Sequence, residues 1–220
     1  ASGTKALSGQ DRDLWGYIAS DNIPVMNRVM DLLALRGGIV DARTAASVVE
    51  RLPGAQVDHA RRSEGALKVA AFLAAHPLVS EVFHPSLPDH PDADAVAARY
   101  HQHGSLLSFR IAGADEGAAR HAADALATCL IVRYALSFDG LATKVNHHRS
   151  VSEYFTPPPL LQKRGIDRLI RLGVGLEEPD DLIAALNWTL WHGRHLPASE
   201  LTACCLLYTS DAADDLYRVG

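Results

Sequence analysis

Residues Ile170 to Ile183 read IRLGVGLEEPDDLI, and two structural periods meet inside that stretch. Ile170, Leu172 and Val174 alternate with Arg171 and Gly173, the period of two expected of a half-buried strand. A strand is therefore expected from Arg168 to Val174, with Arg171 on the side opposite the apolar residues. Pro179 then opens a helix ending near His192, because a proline in the first turn gives up an N–H that has no helical partner anyway.

Upstream the same alternation recurs. Leu107, Phe109 and Ile111 alternate with Ser108 and Arg110, Val79 to Phe83 reads as a short strand, and Cys129 to Tyr134 is β-branched and strand-like. Asp92 to about His101 and Asp115 to Ala127 read as helices, the second capped by Asp115. From Pro24 to about Leu52 the pattern is helical but broken at Gly37-Gly38, after which Asp41 caps a second helix. Pro53-Gly54 marks a turn, and Ala55 to His76 reads as a separate alanine-rich helix stopped by His76-Pro77. The loop with Pro85, Pro88 and Pro91 and the run Pro157-Pro158-Pro159 lie between elements. Strands separated by single helices indicate an α/β or α+β layer, with strand direction left open.

Composition removes several function classes. At 220 residues, 48% hydrophobic and 21% charged, the chain suits one or two globular cores and does not suit disorder. A net charge of -5 supplies no field that draws it to nucleic acid or an anionic membrane. No apolar run approaches the ~18 residues of a membrane-spanning helix. Three cysteines form no disulfide framework, which points to a reducing, cytoplasmic setting. Cys129, among Leu130, Ile131 and Val132, reads as a buried inert thiol. The chain opens at Ala1 in a small-polar stretch, and 196–220 breaks with the pattern before it. The expectation is the downstream part of a longer protein, with 196–220 a non-native or disordered tail.

Chemistry is first suggested by Ser2-Gly3-Thr4-Lys5. A phosphorylated aldehyde cofactor requires a lysine amine for a Schiff base and hydroxyls that donate to phosphate oxygens. Alone, such a lysine also reads as an ordinary solvated side chain. Arg171 is the second candidate, since a guanidinium on a rigid strand holds a carboxylate through two parallel hydrogen bonds. A structural ion pair is the plain alternative, and Arg168 is a reserve for the same role. Residues Ala135 to Gly140 read as a strand running into an Asp-Gly turn.

Ser2, Thr4 and Lys5, followed by Leu7, Ser8 and Gly9, resemble the cofactor-lysine segment of the Cys/Met-metabolism pyridoxal-phosphate enzymes. The resemblance continues through EGALKVAAF (64–72), VFHPSLP (82–88), GSLLSF (104–109) and the 170–183 stretch. It implies the C-terminal part of a fold-type I pyridoxal-phosphate transferase, α/β in class. Residues 1–60 would end the large cofactor domain, and 61–195 would form the small C-terminal α+β domain. It further implies pyridoxal 5'-phosphate on Lys5, with Ser2 and Thr4 on its phosphate. Ser137 and Arg171 would bind the carboxylate of a small amino-acid substrate. The implied activity is β- or γ-elimination or γ-replacement on sulfur-containing or O-activated amino acids, in a homotetramer. An upstream aspartate for the pyridine nitrogen, a stacking tyrosine and a phosphate loop would lie outside this chain, so the fragment alone would be inactive. A non-catalytic α/β assembly module derived from such an enzyme is the rival reading.

Departures from the family pattern imply a divergent subgroup. Ala6 stands where tyrosine is common, Gln10-Asp11-Arg12 where His-Ser-Asp is common, Gly173 for a serine and Ala142 for a glutamate. His147-His148 could line the site mouth. His84, His90, His101 and His103 read as surface histidines rather than a metal site, with His101 and His103 on a helix. Gly173-x-Gly175-x-x-Glu178 lacks the last glycine of a dinucleotide fingerprint and is set aside.

Overall fold

The computed structural model describes residues 2–5, 7–8, 13–128 and 132–197, with Arg194 by its backbone alone. The expectations for Ala6, for 10–12, for Cys129 and for the tail from 198 onward lie outside the described residues.

Helix α1 (Ile23–Arg36) starts where the Asn22 side chain accepts from Val25 N and stops at Gly37, whose φ of 77° suits glycine. Helix α2 (Ala42–Ala75) starts where Asp41 accepts from the amides of Arg43 and Thr44. It runs unbroken through Pro53 to a cap at His76. The turn expected at Pro53-Gly54 is therefore corrected to a single 34-residue helix. Both residues are exposed, so water can serve the carbonyl that Pro53 leaves without a donor, while Gly65 to Leu73 anchor the second half in the core. Pro53→Ala is expected to stabilise the protein by up to about 3 kcal/mol and Gly54→Ala by about 1. At Gly54 an added Cβ meets nothing within 4 Å among the described residues. Chemical denaturation midpoints check both values, and a midpoint lowered by Pro53→Ala would assign the proline a packing role.

The remaining elements are β1 (Val79–Phe83), α3 (Ala93–Arg99), β2 (Leu106–Ile111), α4 (Glu116–Ala127) and β3 (Val132–Tyr134). They are followed by β4 (Thr143–His147), α5 (His148–Ser152), α6 (Pro158–Arg164), β5 (Ile170–Gly173) and α7 (Pro179–Trp191). Asp115 caps α4 through Ala118 N, as its position suggests. Three further expectations need correcting. Pro158 opens α6 instead of stiffening a loop, since a proline fits a first turn. Arg168 ends a 3-10 turn ahead of β5, and His101 and His103 follow α3 instead of lying on it. Ala135 to Gly140 is the connection between β3 and β4.

The five strands form one mixed sheet in the order β1-β2-β5-β4-β3, antiparallel except for the β3–β4 pair. The central position of β5 explains why its residues are so regularly patterned. Register places Leu107 opposite Leu172, and Leu172 opposite Val145, all on one face and all buried. Helix α2 covers that face at β1 and β2, α4 covers it at β3 and β4, and α7 packs against both helices. Its Leu182, Leu186 and Leu190 complete the core. Each such leucine contributes about 1.5–3 kcal/mol by burial. The opposite face carries Ser108, Arg171 and Asn146 abreast. No helix among the described residues is long and apolar enough to cross a membrane.

Candidate active site

Lys5 and Ser137 are 132 residues apart in sequence, yet Lys5 Nζ donates a 2.8 Å hydrogen bond to Ser137 Oγ. Both side chains are exposed. The lysine is held by its neighbours. Gly3 N and Thr4 N donate to the Trp15 carbonyl, and the Thr4 hydroxyl accepts from Trp15 N at 2.8 Å. Ser8 Oγ donates back to the carbonyls of Gly3 and Thr4 at 3.0 and 2.7 Å. Gly3 is required there, because a Cβ would run into the Trp15 indole. Asp13 in turn ties this segment to α2, accepting from Ser47 Oγ and pairing with Arg51, each at 3.0 Å.

Ser137 lies in a connection fixed by four side chains, two from β4, one from α2 and one from the loop before β2. Asn146 Nδ2 donates to the Ala135 carbonyl at 2.7 Å, Ser105 Oγ to Asp139 Oδ1 at 2.6 Å, and Lys144 Nζ to the Asp139 carbonyl at 2.8 Å. The fully buried Arg62 reaches the Gly140 carbonyl at 3.3 Å. Asp139 has φ 65°, a strained value for a residue with a Cβ, and these bonds hold it there.

Arg171 stands on the open face of β5. Its guanidinium carbon lies 4.2 Å from the centre of the Phe138 ring, next in sequence to Ser137, and Nη1 lies 3.2 Å from His148 Nδ1. Burial holds its pKa below the usual arginine value, and the group stays protonated. Gly173 makes this stacking possible. A Cβ at 173 would fall 2.8 Å from Phe138 Cδ1 and 3.2 Å from its Cβ, so swinging the ring alone would not relieve the clash. The serine that the family pattern often has at this position would not fit beside Phe138 as it lies here. Gly173→Ser is expected to destabilise the protein by about 1–3 kcal/mol, and by clearly less in a Phe138→Leu background. Equal losses in both backgrounds, measured by denaturation, would remove the packing argument.

Lys5, Ser137 and Arg171 are thus brought to one locality through Phe138. The Ser2 side chain is exposed, its backbone bridged to Gly16, and the Thr4 hydroxyl donates to the Trp15 carbonyl at 3.2 Å. Of the two histidines expected at the site mouth, His148 reaches Arg171. His147 faces the core instead, with Nδ1 2.7 Å from Ser150 Oγ and Nε2 2.6 Å from the Asp167 carbonyl. It alternates to the apolar side of β4. His84 is fully buried, at 2.6 Å from Ser86 Oγ, and is not the surface histidine expected. Among the described residues, no group of three or more His, Cys, Asp or Glu side chains is placed to hold a metal ion.

Sequence reasoning missed Phe138, Trp15 and the anchors Ser105, Lys144 and Asn146. An isolated glycine inside a strand signals close approach of another group, and Gly173 could have pointed to Phe138 on that ground. Gly175 has a similar origin, since a Cβ there would strike the Leu141 carbonyl. Glu177 locks the same junction by accepting from Thr143 N and Thr143 Oγ1 at 2.5 and 2.7 Å.

Comparison with known proteins places these residues in context. The family described as Cys/Met metabolism PLP-dependent enzyme matches residues 1–190. O-succinylhomoserine sulfhydrylase of Mycobacterium tuberculosis is 27% identical over 190 residues, covering 86% of this chain and 47% of that protein. Cystathionine gamma-synthase of Mycobacterium bovis is 34% identical over 130 residues, 59% of this chain and 32% of that protein. The crystal structure of cystathionine gamma-lyase from Micromonospora echinospora superposes with a TM-score of 0.79 at 26% identity, covering 86% of this chain and 49% of that one. The chain therefore spans about half the length of the relatives it matches.

Proposed function

Because the chain belongs to the Cys/Met metabolism PLP-dependent enzyme family, we propose that it supplies Lys5, Ser137 and Arg171 to an enzyme that makes or breaks carbon–sulfur bonds in amino acids. The observation that carries this reading is the Lys5 Nζ to Ser137 Oγ contact, with Arg171 stacked on the next residue. An amine and a guanidinium at one mouth suit a substrate that presents an amino group and a carboxylate on one carbon.

The residues present fit pyridoxal 5'-phosphate. Lys5 offers an exposed amine, and Ser2 an exposed hydroxyl three positions away. The Thr4 oxygen accepts from Trp15 N at 2.8 Å, and its proton would exchange the longer 3.2 Å bond to the Trp15 carbonyl for a phosphate oxygen. When bound, the cofactor supplies an aldehyde for an amine and a ring that stores the charge left at Cα. Arg171, with Ser137, holds the substrate carboxylate and so sets which Cα bond is presented. Lys5 Nζ, held by the Ser137 hydroxyl, is the general base that removes the Cα proton and returns it later. Arg171 sits on the central strand, a rigid support for that geometry.

The reaction class is elimination at the β or γ carbon, or replacement at the γ carbon, of a sulfur-containing or O-activated amino acid. Residues 1–60 belong in this reading to the end of a cofactor domain and 61–195 to a smaller domain, with α2 running through the boundary as the connecting element. A cytoplasmic homotetramer completes the proposal.

The test is covalent. Borohydride reduction of the intact protein loaded with pyridoxal 5'-phosphate, followed by peptide mapping, is expected to leave the pyridoxyl mass on Lys5. A label on another side chain, or none, sinks the assignment and favours the non-catalytic assembly module.

A further inference from the structure

His148 has no part in the reading above, although it touches the residue that reading assigns to the carboxylate. We propose that His148 is a positioning residue for Arg171: its unprotonated Nδ1 accepts from Arg171 Nη1 and fixes the guanidinium on Phe138 in one orientation. The proposal rests on the assignment of Arg171 to the substrate carboxylate.

Stacking alone leaves that orientation loose. The Phe138 face, 4.2 Å from the guanidinium carbon, sets the distance of the cation, but a ring face attracts a cation without choosing its rotation. A directional acceptor at one nitrogen chooses it. His148 Nδ1 lies 3.2 Å from Nη1. Arg171 has donors only, so this contact requires a lone pair on Nδ1 and the proton on Nε2. On the far side of the ring, Glu153 Oε1 lies 3.6 Å from Nε2, where a carboxylate favours that tautomer. The ring is carried on fixed backbone, because His148 N donates to the Leu169 carbonyl at 2.9 Å, two residues from Arg171.

The identity of the partner matters as well. A carboxylate touching Arg171 directly would neutralise the guanidinium and compete with the substrate. A neutral imidazole holds it and leaves its charge for the ligand. The charged and titratable groups facing His148 are Arg171 from β5, Glu153 after α5 and His147 from β4. Burial, then Arg171, keep the His148 pKa below the usual histidine value, against the upward pull of Glu153. The acceptor form therefore prevails at neutral pH.

Two measurements on the full protein test this. His148→Leu, which has no acceptor but leaves the Phe138 contact in place, is expected to raise KM about tenfold, the cost of one hydrogen bond to a charged group, with kcat falling by less than in Arg171→Lys. His148→Asn, whose side-chain oxygen can stand near the Nδ1 position, is expected to stay within about threefold of the parent KM. Independently of activity, NMR titration of the His148 ring should show its midpoint rising in Arg171→Gln, because a cationic neighbour is removed. Equal KM increases in His148→Leu and His148→Asn overturn the proposal. An unmoved His148 titration does so too, and with a raised KM in Arg171→Lys it overturns the proposal alone. An Arg171→Lys variant with unchanged KM instead overturns the carboxylate assignment, and the proposal with it.

Discussion

Lys5→Ala is expected to abolish covalent retention of pyridoxal 5'-phosphate and to lower kcat by about 10³ or more, the scale of a lost general base. The structure separates that loss from misfolding. Lys5 is exposed, and its Nζ bonds to the hydroxyl of an equally exposed serine, so alanine opens no cavity and strands no buried partner. The denaturation midpoint should therefore match the parent while the cofactor's visible absorbance no longer survives dialysis. Lys5→Arg should fail in the same way, because a guanidinium keeps its proton and cannot act as nucleophile or base. Two results would reverse the assignment: absorbance that survives dialysis in Lys5→Ala, or kcat within tenfold of the parent.

Why Lys5 could be named from the sequence, and Phe138 could not, follows from what each does. Lys5, an amine among small residues and hydroxyls, reads alone as an ordinary solvated side chain, and it could be named because residues 2–9 resemble the cofactor-lysine segment of a known family. Arg171 is recognisable because strand alternation places it opposite the apolar residues, and the register bears this out. Phe138 acts only through contact with Arg171 across the sheet face, and no local pattern encodes that distance. Strand β4 was hidden for a related reason. Its sequence, TKVNH, is mostly polar, yet all five residues are buried because they serve the connection beside the site and the loops behind it. Lys144 holds the Asp139 carbonyl, Asn146 the Ala135 carbonyl and His147 the Asp167 carbonyl. A periodicity test that equates burial with apolarity passes over such a strand. The Pro53-Gly54 turn failed in the opposite direction. Two strong local breakers were overruled by an Asp41 cap on one side and a core-anchored helical face on the other.

The larger effect on binding is expected at Arg171. Arg171→Lys keeps the positive charge and still should raise KM about 10²-fold, since an ammonium cannot offer two parallel donors to one carboxylate. It also loses the guanidinium contact over the Phe138 ring and the end-on contact to His148, so the cation has no fixed position over the ring. Arg171→Ala should be worse, because it uncovers Phe138, which is only 6% exposed in the native structure. The division between kinetic constants identifies the mechanism. If the guanidinium binds the carboxylate equally in the ground and transition states, KM rises and kcat stays within a few-fold. If carboxylate and Ser137 together aim the Cα bond at Lys5, kcat falls as well, because misalignment affects the step in which the proton moves. The short tether from Phe138 to Ser137, and from Ser137 Oγ to Lys5 Nζ at 2.8 Å, favours the second outcome. A displaced Arg171 frees the Phe138 ring, and that ring sits one residue from the hydroxyl that accepts from Lys5 Nζ. An Arg171→Lys variant that changes neither constant would show that the carboxylate is held elsewhere.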